Sequence, residues 1–118
     1  MSTDITGLRD IDGFIGGCLV DSDSGLMLAS VGGGKKFDLD IAAAANTEVV
    51  KSKLAAMEAL GLGDDHIEDI LITLGTQVHL IRPLEKSPAI FLYAALEKKA
   101  NLGMARIKVK AVEQTLSF

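Results

Sequence analysis

The sequence predicts an α+β domain in which helices pack on a mainly antiparallel sheet, in two or three layers. Two observations carry this prediction. Five short segments have strand patterns and three have helical patterns, in the order α-β-β-α-β-β-β-α. Short turn sequences rich in Gly, Ser and Asp join the strands of each group, and hairpin connections of this kind make neighbouring strands antiparallel.

The first elements are a short helix and a hairpin. Residues 3–10 predict the helix, because their apolar side chains lie three apart on one face. Residues 14–21 and 26–31 predict two strands joined by a turn. Gly16 and Gly17 interrupt the first of these strands, which indicates a bulge or the close approach of another element, most simply a helix.

A long central helix follows a glycine-rich connector. Asp38 or Asp40 can cap its N-terminus by accepting backbone N–H hydrogen bonds. The helix is predicted to run to about Leu60, where Gly61 favours a helix end.

The second half of the chain predicts three strands and a closing helix. The strands lie at residues 67–74, 77–82 and 89–96, and the helix at residues 102–116. The last strand is almost wholly apolar, so we expect it at the centre of the sheet with both faces covered.

Composition limits the classes of function. The 118 residues predict a single domain, residues 1–118, with 48% hydrophobic but only 4% aromatic residues. The net charge of −4 argues against nucleic acid as a partner. No apolar run approaches the ~20 residues that span a bilayer, so we expect no membrane insertion. The single cysteine forbids an internal disulfide and favours a cytoplasmic location.

The residues that could take part in catalysis or metal binding form no recognisable motif. The connector at residues 32–36 lacks the spacing of a phosphate-binding loop. His66 and His79 have no partner at metal-ligand spacing, and His79 is predicted to be solvated. Cys18, inside an apolar strand, is typical of inert core. We therefore expect no catalytic residue, no metal site, no cofactor and no enzymatic activity.

The central helix has more apolar surface than one sheet requires. An arc of large side chains, which we assign to the sheet, and an adjacent arc of mostly small ones together cover about 200° of the helix, twice the usual stripe. The first arc comprises Leu39, Ala43, Val50, Leu54 and Met57. The second, named the small-residue arc, comprises Ile41, Ala42, Ala45, Val49, Ser52, Ala56 and Ala59. Either the opening helix or a loop covers this arc, or a second subunit does, because such a patch is unusual on a monomer.

The strand at residues 67–74 is predicted to lie at an edge of the sheet, because it begins the second group of hairpin-connected strands. A long edge strand with few charges tends to pair with another chain. Pairing with its own copy across a two-fold axis would bring the two central helices together. The predicted dimer interface comprises the small-residue arc together with Ile67, Asp69, Leu71 and Thr73.

These patterns resemble the roadblock / dynein-light-chain domain family. The similar segments are residues 16–21 and 23–30 (opening hairpin), 41–60 (central helix), 67–73 (third strand), 89–96 (last strand) and 101–106 (start of the closing helix). The resemblance extends from about residue 13 to residue 116. It depends on the order and spacing of weak hydrophobic patterns.

The resemblance implies a profilin/longin-like fold with a five-stranded antiparallel sheet, a helix pair on one face and the central helix on the other. It also implies a homodimer that joins the third strands and central helices. Members of the family are non-enzymatic modules that bind and regulate Ras-like small GTPases, as scaffolds or by stimulating GTP hydrolysis in the partner. No motif in this sequence indicates which residues would contact a GTPase.

A second hypothesis is a sensory domain of related architecture that binds a small ligand between sheet and helix. Phe14, Phe91 and Tyr93 could line such a pocket, although the sequence offers few polar groups to orient a ligand.

Overall fold

The computed structural model describes residues 2–117, which form a 3₁₀ helix, two α-helices and five strands. The first half contains the 3₁₀ helix Thr6–Asp10, β1 (Phe14–Asp21), β2 (Leu26–Gly32) and α1 (Leu39–Ala59). The second half contains β3 (Ile70–Thr73), β4 (Gln77–Pro83), β5 (Ile90–Glu97) and α2 (Leu102–Thr115). The α+β class and the order of elements are as predicted, except that the first helix is not an α-helix.

The opening helix is shorter and tighter than predicted. It spans five residues, and the carboxylate of Asp4 fixes the turn before it by accepting hydrogen bonds from the backbone N–H and the hydroxyl of Thr6, at 2.9 and 2.7 Å. A segment this short cannot offset the cost of nucleating an α-helix. The predicted apolar face is nevertheless present, since Ile5 and Leu8 are fully buried.

All five strands form one antiparallel sheet in the order β2-β1-β5-β4-β3. The apolar strand β5 is central, which confirms the prediction from its sequence. β2 and β3 are the two edge strands, and α1 connects them by crossing one face of the sheet.

The sheet separates two apolar clusters. The α1 cluster joins α1, through Ala43 and Val50, to Cys18, Ile81 and Tyr93 of the sheet. The α2 cluster joins α2 and the opening helix to the opposite face. Its members include Leu8, Leu19, Leu80, Leu92, Leu96 and Val109. The arrangement of one helix against two is the one that the family resemblance implies.

Both ends of α1 are capped as the sequence predicts. Asp38 is the N-cap residue, and its carboxylate accepts a hydrogen bond of 2.9 Å from the N–H of Asp40. At the other end Gly61 adopts a positive φ of 77°, and the N–H of Leu62 donates to the carbonyl of Met57 at 2.8 Å. This pattern is a Schellman motif, which satisfies carbonyls that would otherwise lack partners.

The two glycines in β1 lie where the backbone of another segment of the chain comes close. A Cβ at Gly16 would lie 2.8 Å from the backbone nitrogen of Gly33, and one at Gly17 would lie 2.7 Å from the carbonyl oxygen of Tyr93. The register between β1 and β5 also shifts between Phe14 and Gly16, which confirms the predicted bulge. The closest atoms belong to the connector and to β5. Helices also approach, since a Cβ at Gly17 would lie 3.0 Å from Leu8 of the opening helix and one at Gly16 would lie 3.4 Å from Leu39 of α1.

His79 is half-buried against aromatic side chains, so the prediction that it is solvated is wrong. Its Nδ1 lies 3.2 Å from the hydroxyl of Tyr93, its Nε2 lies 2.8 Å from Oε1 of Gln77, and Phe37 packs edge-on to its ring. One neutral tautomer satisfies both contacts: Nε2–H donates to Gln77, and Nδ1 accepts from the hydroxyl. Burial lowers the pKa of His79 and raises the pKa of Tyr93, so both are neutral at pH 7.

A nearly buried ion pair holds α2 to β4. The guanidinium of Arg82 donates to the carboxylate of Glu113, and their side chains are 13% and 10% exposed. The second carboxylate oxygen of Glu113 accepts the backbone N–H of Glu85 at 2.8 Å, which fixes the loop after β4. One carboxylate on α2 therefore positions both the end of β4 and the loop that follows.

Mild acid should destabilise the protein through His79. In the unfolded chain its imidazole has a pKa near 6.5, and burial lowers this pKa in the folded protein. Below about pH 6.5 the unfolded state binds more protons, so the free energy of unfolding should fall as pH decreases, and level off once folded His79 is protonated. Urea unfolding at several pH values measures this fall. His79→Gln should flatten it, and His66→Gln, at an exposed site, should retain it. If the free energy of unfolding of His79→Gln decreased with pH as much as that of the wild type, the assignment to His79 would be wrong.

Removing the carboxylate of Glu113 should leave a nearly buried guanidinium without its partner. We expect Glu113→Ala to lower the free energy of unfolding by about 3 kcal/mol, measured by urea denaturation. Glu85→Ala is the matched control, because it removes an exposed carboxylate from the same region, and it should cost no more than about 0.5 kcal/mol. Equal losses in the two variants would show that the ion pair is not a significant source of stability.

Candidate functional site

The small-residue arc of α1 is uncovered in the protomer. Its exposed members are Ile41, Ala45, Ser52, Ala56 and Ala59, whereas Ala42 and Val49 are half-buried against the α1 cluster. The exposed fraction of Ile41 reaches 67%. The alternative in which the opening helix covers this arc is wrong, because that helix packs on the opposite face of the sheet.

Apolar residues are also exposed on the other side of α1. The sequence assigns Leu54 to the sheet, but Leu54 is 41% exposed and lines a groove together with Ile67 and Asp69. At 100° per residue, the exposed Ala44 and Ala55 lie between Leu54 and the small-residue arc, among charged side chains. Sequence reasoning missed these three residues, because helical periodicity does not reveal which side of a helix is nearer to a sheet edge.

The edge strand β3 contains four residues, not the eight predicted at residues 67–74. Extending the observed ladder backwards would place Glu68 opposite Pro83, which has no N–H to donate. The carbonyl of Glu68 instead accepts a hydrogen bond of 3.3 Å from Nη1 of Arg82. The segment before Ile70 is therefore held by side chains rather than by strand pairing.

The remaining part of β3 presents an open, regular edge. The N–H of Leu74 donates to the carbonyl of Gln77 at 2.8 Å. Because hydrogen-bonded pairs alternate along an antiparallel ladder, the backbone groups of Ile70 and Ile72 face β4. Those of Leu71 and Thr73 then point away from the sheet, where a further strand can pair with them.

The side chains of β3 divide between the two faces of the sheet. Ile70 and Ile72 pack against the α1 cluster. Leu71 and Thr73 alternate with them and so point to the α2 side. The predicted interface therefore combines residues whose side chains lie on opposite faces and share only the β3 backbone. Sequence reasoning missed Ile70 and Ile72, although they belong to the more apolar of the two alternating sets.

Asp69 is engaged inside the protomer. Its carboxylate accepts a hydrogen bond of 2.7 Å from Nε of Arg106 on α2, and its side chain is only 11% exposed. This ion pair ties the start of the edge strand to α2. Asp69 thus positions β3, while its neighbour Ile67 is half-buried at the groove.

The groove lies between α2, the segment before β3 and the loop after β4, and has a volume of about 700 Å³. Apolar side chains and charged side chains of both signs line it. The apolar residues are Leu54, Ile67, Pro83, Leu84, Pro88 and Ile107. The charged residues are Asp65, Glu68, Asp69, Arg82, Glu85, Arg106 and Lys110.

The thiol of Cys18 in the interior is held in an uncharged, poorly reactive form. Burial raises the pKa of the Cys18 thiol to about 12, so the reactive thiolate is scarce at neutral pH. Within residues 2–117, no three His, Cys, Asp or Glu side chains gather closely enough to hold a metal ion. Phe91 and Tyr93 are buried in the α1 cluster, whereas Phe14 packs against the α2 cluster, so these aromatic residues do not line a common ligand pocket.

Among residues 2–117, none of the three helices is both long and apolar enough to cross a membrane.

Comparison with known proteins gives a clear result for structure only. The sequence matches no protein-family model. It matches no curated protein either. Solved structures, in contrast, match over nearly the whole chain.

A roadblock/LC7 domain from Streptomyces avermitilis superposes with a TM-score of 0.78 at 13% identity, covering 92% of this chain and 87% of that one. MglB from Myxococcus xanthus gives a TM-score of 0.77 at 15% identity, covering 91% and 83%. An MglB structure with a tetrameric arrangement gives 0.77 at 18% identity, covering 93% and 79%. Identities this low establish a shared architecture without establishing a shared activity. The chain has the roadblock/LC7 fold.

Proposed function

We propose that this protein is a non-enzymatic, homodimeric interaction module that binds and regulates a Ras-like small GTPase in the cytoplasm. In this proposal residues 1–118 form one domain, and two copies associate through α1 and the edge of β3. The observation that carries the proposal is the uncovered apolar surface of α1 on a sheet whose β3 edge is open. The roadblock/LC7 fold supports it, and so does the tetrameric arrangement of one MglB structure with this fold.

The charge pattern of α1 suits self-association. The exposed members of the small-residue arc carry no charge, and the charged residues that flank the arc on α1, Glu48 and Lys53, are of opposite sign. The small side chains of the arc also allow close approach of the helix backbones. An apolar surface of this kind on a stable domain is typical of a protein–protein interface.

The two edges of the sheet differ in their suitability for pairing. The ladder of β2 with β1 shifts register between Leu19 and Val20, which leaves Leu28 as the extra residue of a bulge. A bulge twists an edge strand and opposes pairing with another chain. The β3 ladder is regular throughout. We therefore propose that β3, rather than β2, pairs across the two-fold axis.

The choice of a GTPase as partner rests on the family resemblance of the sequence together with the fold. The protonated thiol of Cys18 and the neutral His79–Tyr93 pair offer no obvious catalytic group. We propose that the module acts through its surface, by holding the partner in one conformation. The dimer would double that surface.

Arginine in the small-residue arc should separate the dimer. Ala56 is exposed in the protomer, so Ala56→Arg should fold normally but place an unpaired charge in the interface. We expect light scattering at micromolar concentration to give twice the chain mass of 12.4 kDa for the wild type and one chain mass for the variant. Ala45→Arg should act in the same way. Ala111→Arg, at an exposed alanine of α2, is the matched control and should remain dimeric.

Variants of the edge strands test the second part of the interface. Thr73→Pro removes an N–H that points away from β4, so it should weaken β3 self-pairing while leaving the internal ladder intact. Leu28→Lys places a charge on the β2 edge and should leave the mass of the assembly unchanged.

Two results would contradict the proposed interface. If the wild-type protein is monomeric, the proposed dimer is wrong. Dissociation by Ala55→Arg but not by Ala45→Arg or Ala56→Arg would move the interface to the other side of α1.

Binding to a GTPase should depend on the bound nucleotide. Purified Ras-like small GTPases, loaded with fluorescent GDP or a non-hydrolysable GTP analogue, can be titrated with the protein and followed by anisotropy. We expect at least one GTPase to bind about tenfold more tightly in one nucleotide state. Ala56→Arg should weaken this binding, whereas Ala111→Arg should not. Equal binding in both states, or none across the panel, would contradict the proposal.

A further inference from the structure

The two ends of the edge strand β3 carry charges of opposite sign. Asp64, Asp65 and Glu68 precede the strand, and all three side chains are exposed. Lys98 lies beside the other end, where its ammonium donates a hydrogen bond of 2.8 Å to the carbonyl of Leu74, the residue after β3. The exposed edge is therefore acidic where the strand begins and basic where it ends.

Most other charges near these ends have a partner inside the protomer. Short contacts join Asp69 to Arg106, Arg82 to Glu113, Lys99 to Glu97 and, at 3.9 Å, Asp65 to His66. Lys110 and Glu85 add one charge of each sign to the groove beside Glu68. Glu68 and Lys98 themselves form no ion pair with any of residues 2–117. These two opposite charges remain available for a contact between chains.

Pairing of β3 with its own copy brings unlike ends together. The proposed two-fold axis keeps both α1 helices on one face of the extended sheet, and identical edge strands related in this way are antiparallel. The acidic start of one β3 then lies beside the basic end of the other. A parallel arrangement would instead place acid beside acid and base beside base, which is destabilising.

The open edge of β3 also indicates the register of this pairing. Within the strand, Leu71 and Thr73 are the residues whose backbone groups point away from the sheet. A ladder centred on Ile72 bonds Leu71 of each copy to Thr73 of the other and uses the whole regular part of the strand. In this register Leu74 lies opposite Ile70 of the partner subunit.

We propose that Lys98 of each copy forms an ion pair with Glu68 of the partner subunit, and that this pair fixes the antiparallel register of the two β3 edges. The inference rests on the proposed dimer and assigns the residues that determine its geometry. Lys98 is held at Leu74, and Glu68 lies two residues before the partner's Ile70, about 7 Å along the strand. The combined length of a lysine and a glutamate side chain covers this distance. A single exposed ion pair contributes little, but the two-fold symmetry forms this one twice.

Charge reversal at either residue should weaken the dimer. Lys98→Glu and Glu68→Lys each replace two attractive contacts by two contacts between like charges. We expect each variant to raise the dissociation constant of the dimer by about tenfold, measured by sedimentation velocity over a dilution series of the full chain. Lys86→Glu, in the loop after β4, and Asp23→Lys, in the turn between β1 and β2, are the matched controls. They change the net charge by the same amounts and should not weaken the dimer.

A mixture of the two weakened variants gives the sharpest measurement. In a heterodimer of Lys98→Glu with Glu68→Lys, both contacts again join opposite charges. We expect the mixture to dimerise with the wild-type affinity. Native mass spectrometry, with one variant labelled with heavy nitrogen, should show heterodimers above the statistical share that labelled and unlabelled wild type give. Such recovery also shows that both variants fold.

Several results would overturn this inference. A mixture that dimerises no better than either variant alone would show that the losses come from another cause, such as the missing hydrogen bond from Lys98 to Leu74. Equal weakening by the controls would assign the effect to net charge. A wild-type dimer that neither reversal affects would overturn the ion pair alone, whereas a wild-type monomer would overturn the proposed dimer with it. Assemblies of more than two chains that Leu28→Lys disperses would indicate pairing of β3 with β2 of the next copy instead.

Discussion

Burial of the central strand on both of its faces is the constraint on which the rest of the structure depends. Six consecutive residues of β5, residues 91–96, are buried and alternate between the α1 and α2 clusters. A strand of this composition is stable only when helices cover both faces of its sheet. α1 covers one face while it connects the edge strands β2 and β3, and α2 with the opening helix covers the other. Each helix must then present its remaining surface to solvent or to another molecule.

Covering β5 also determines the state of the polar groups beneath α1. Cys18, His79 and Tyr93 lie where desolvation disfavours charge, so all three are neutral at pH 7. The hydroxyl of Tyr93 and the imidazole of His79 satisfy each other, and this contact stabilises the interior.

Sequence patterns predict the structure of single helices, strands and turns well. They predict poorly how these elements pack beside one another. The cap at Asp38, the Schellman end at Gly61 and the central position of β5 each follow from residues that are close in the chain. The shortening of β3 depends on Pro83, which is visible in the sequence, but its effect appears only once the register with β4 is known. The exposure of Leu54 depends on where the groove lies beside α1. Such features come from packing between elements, which periodicity along one element does not describe.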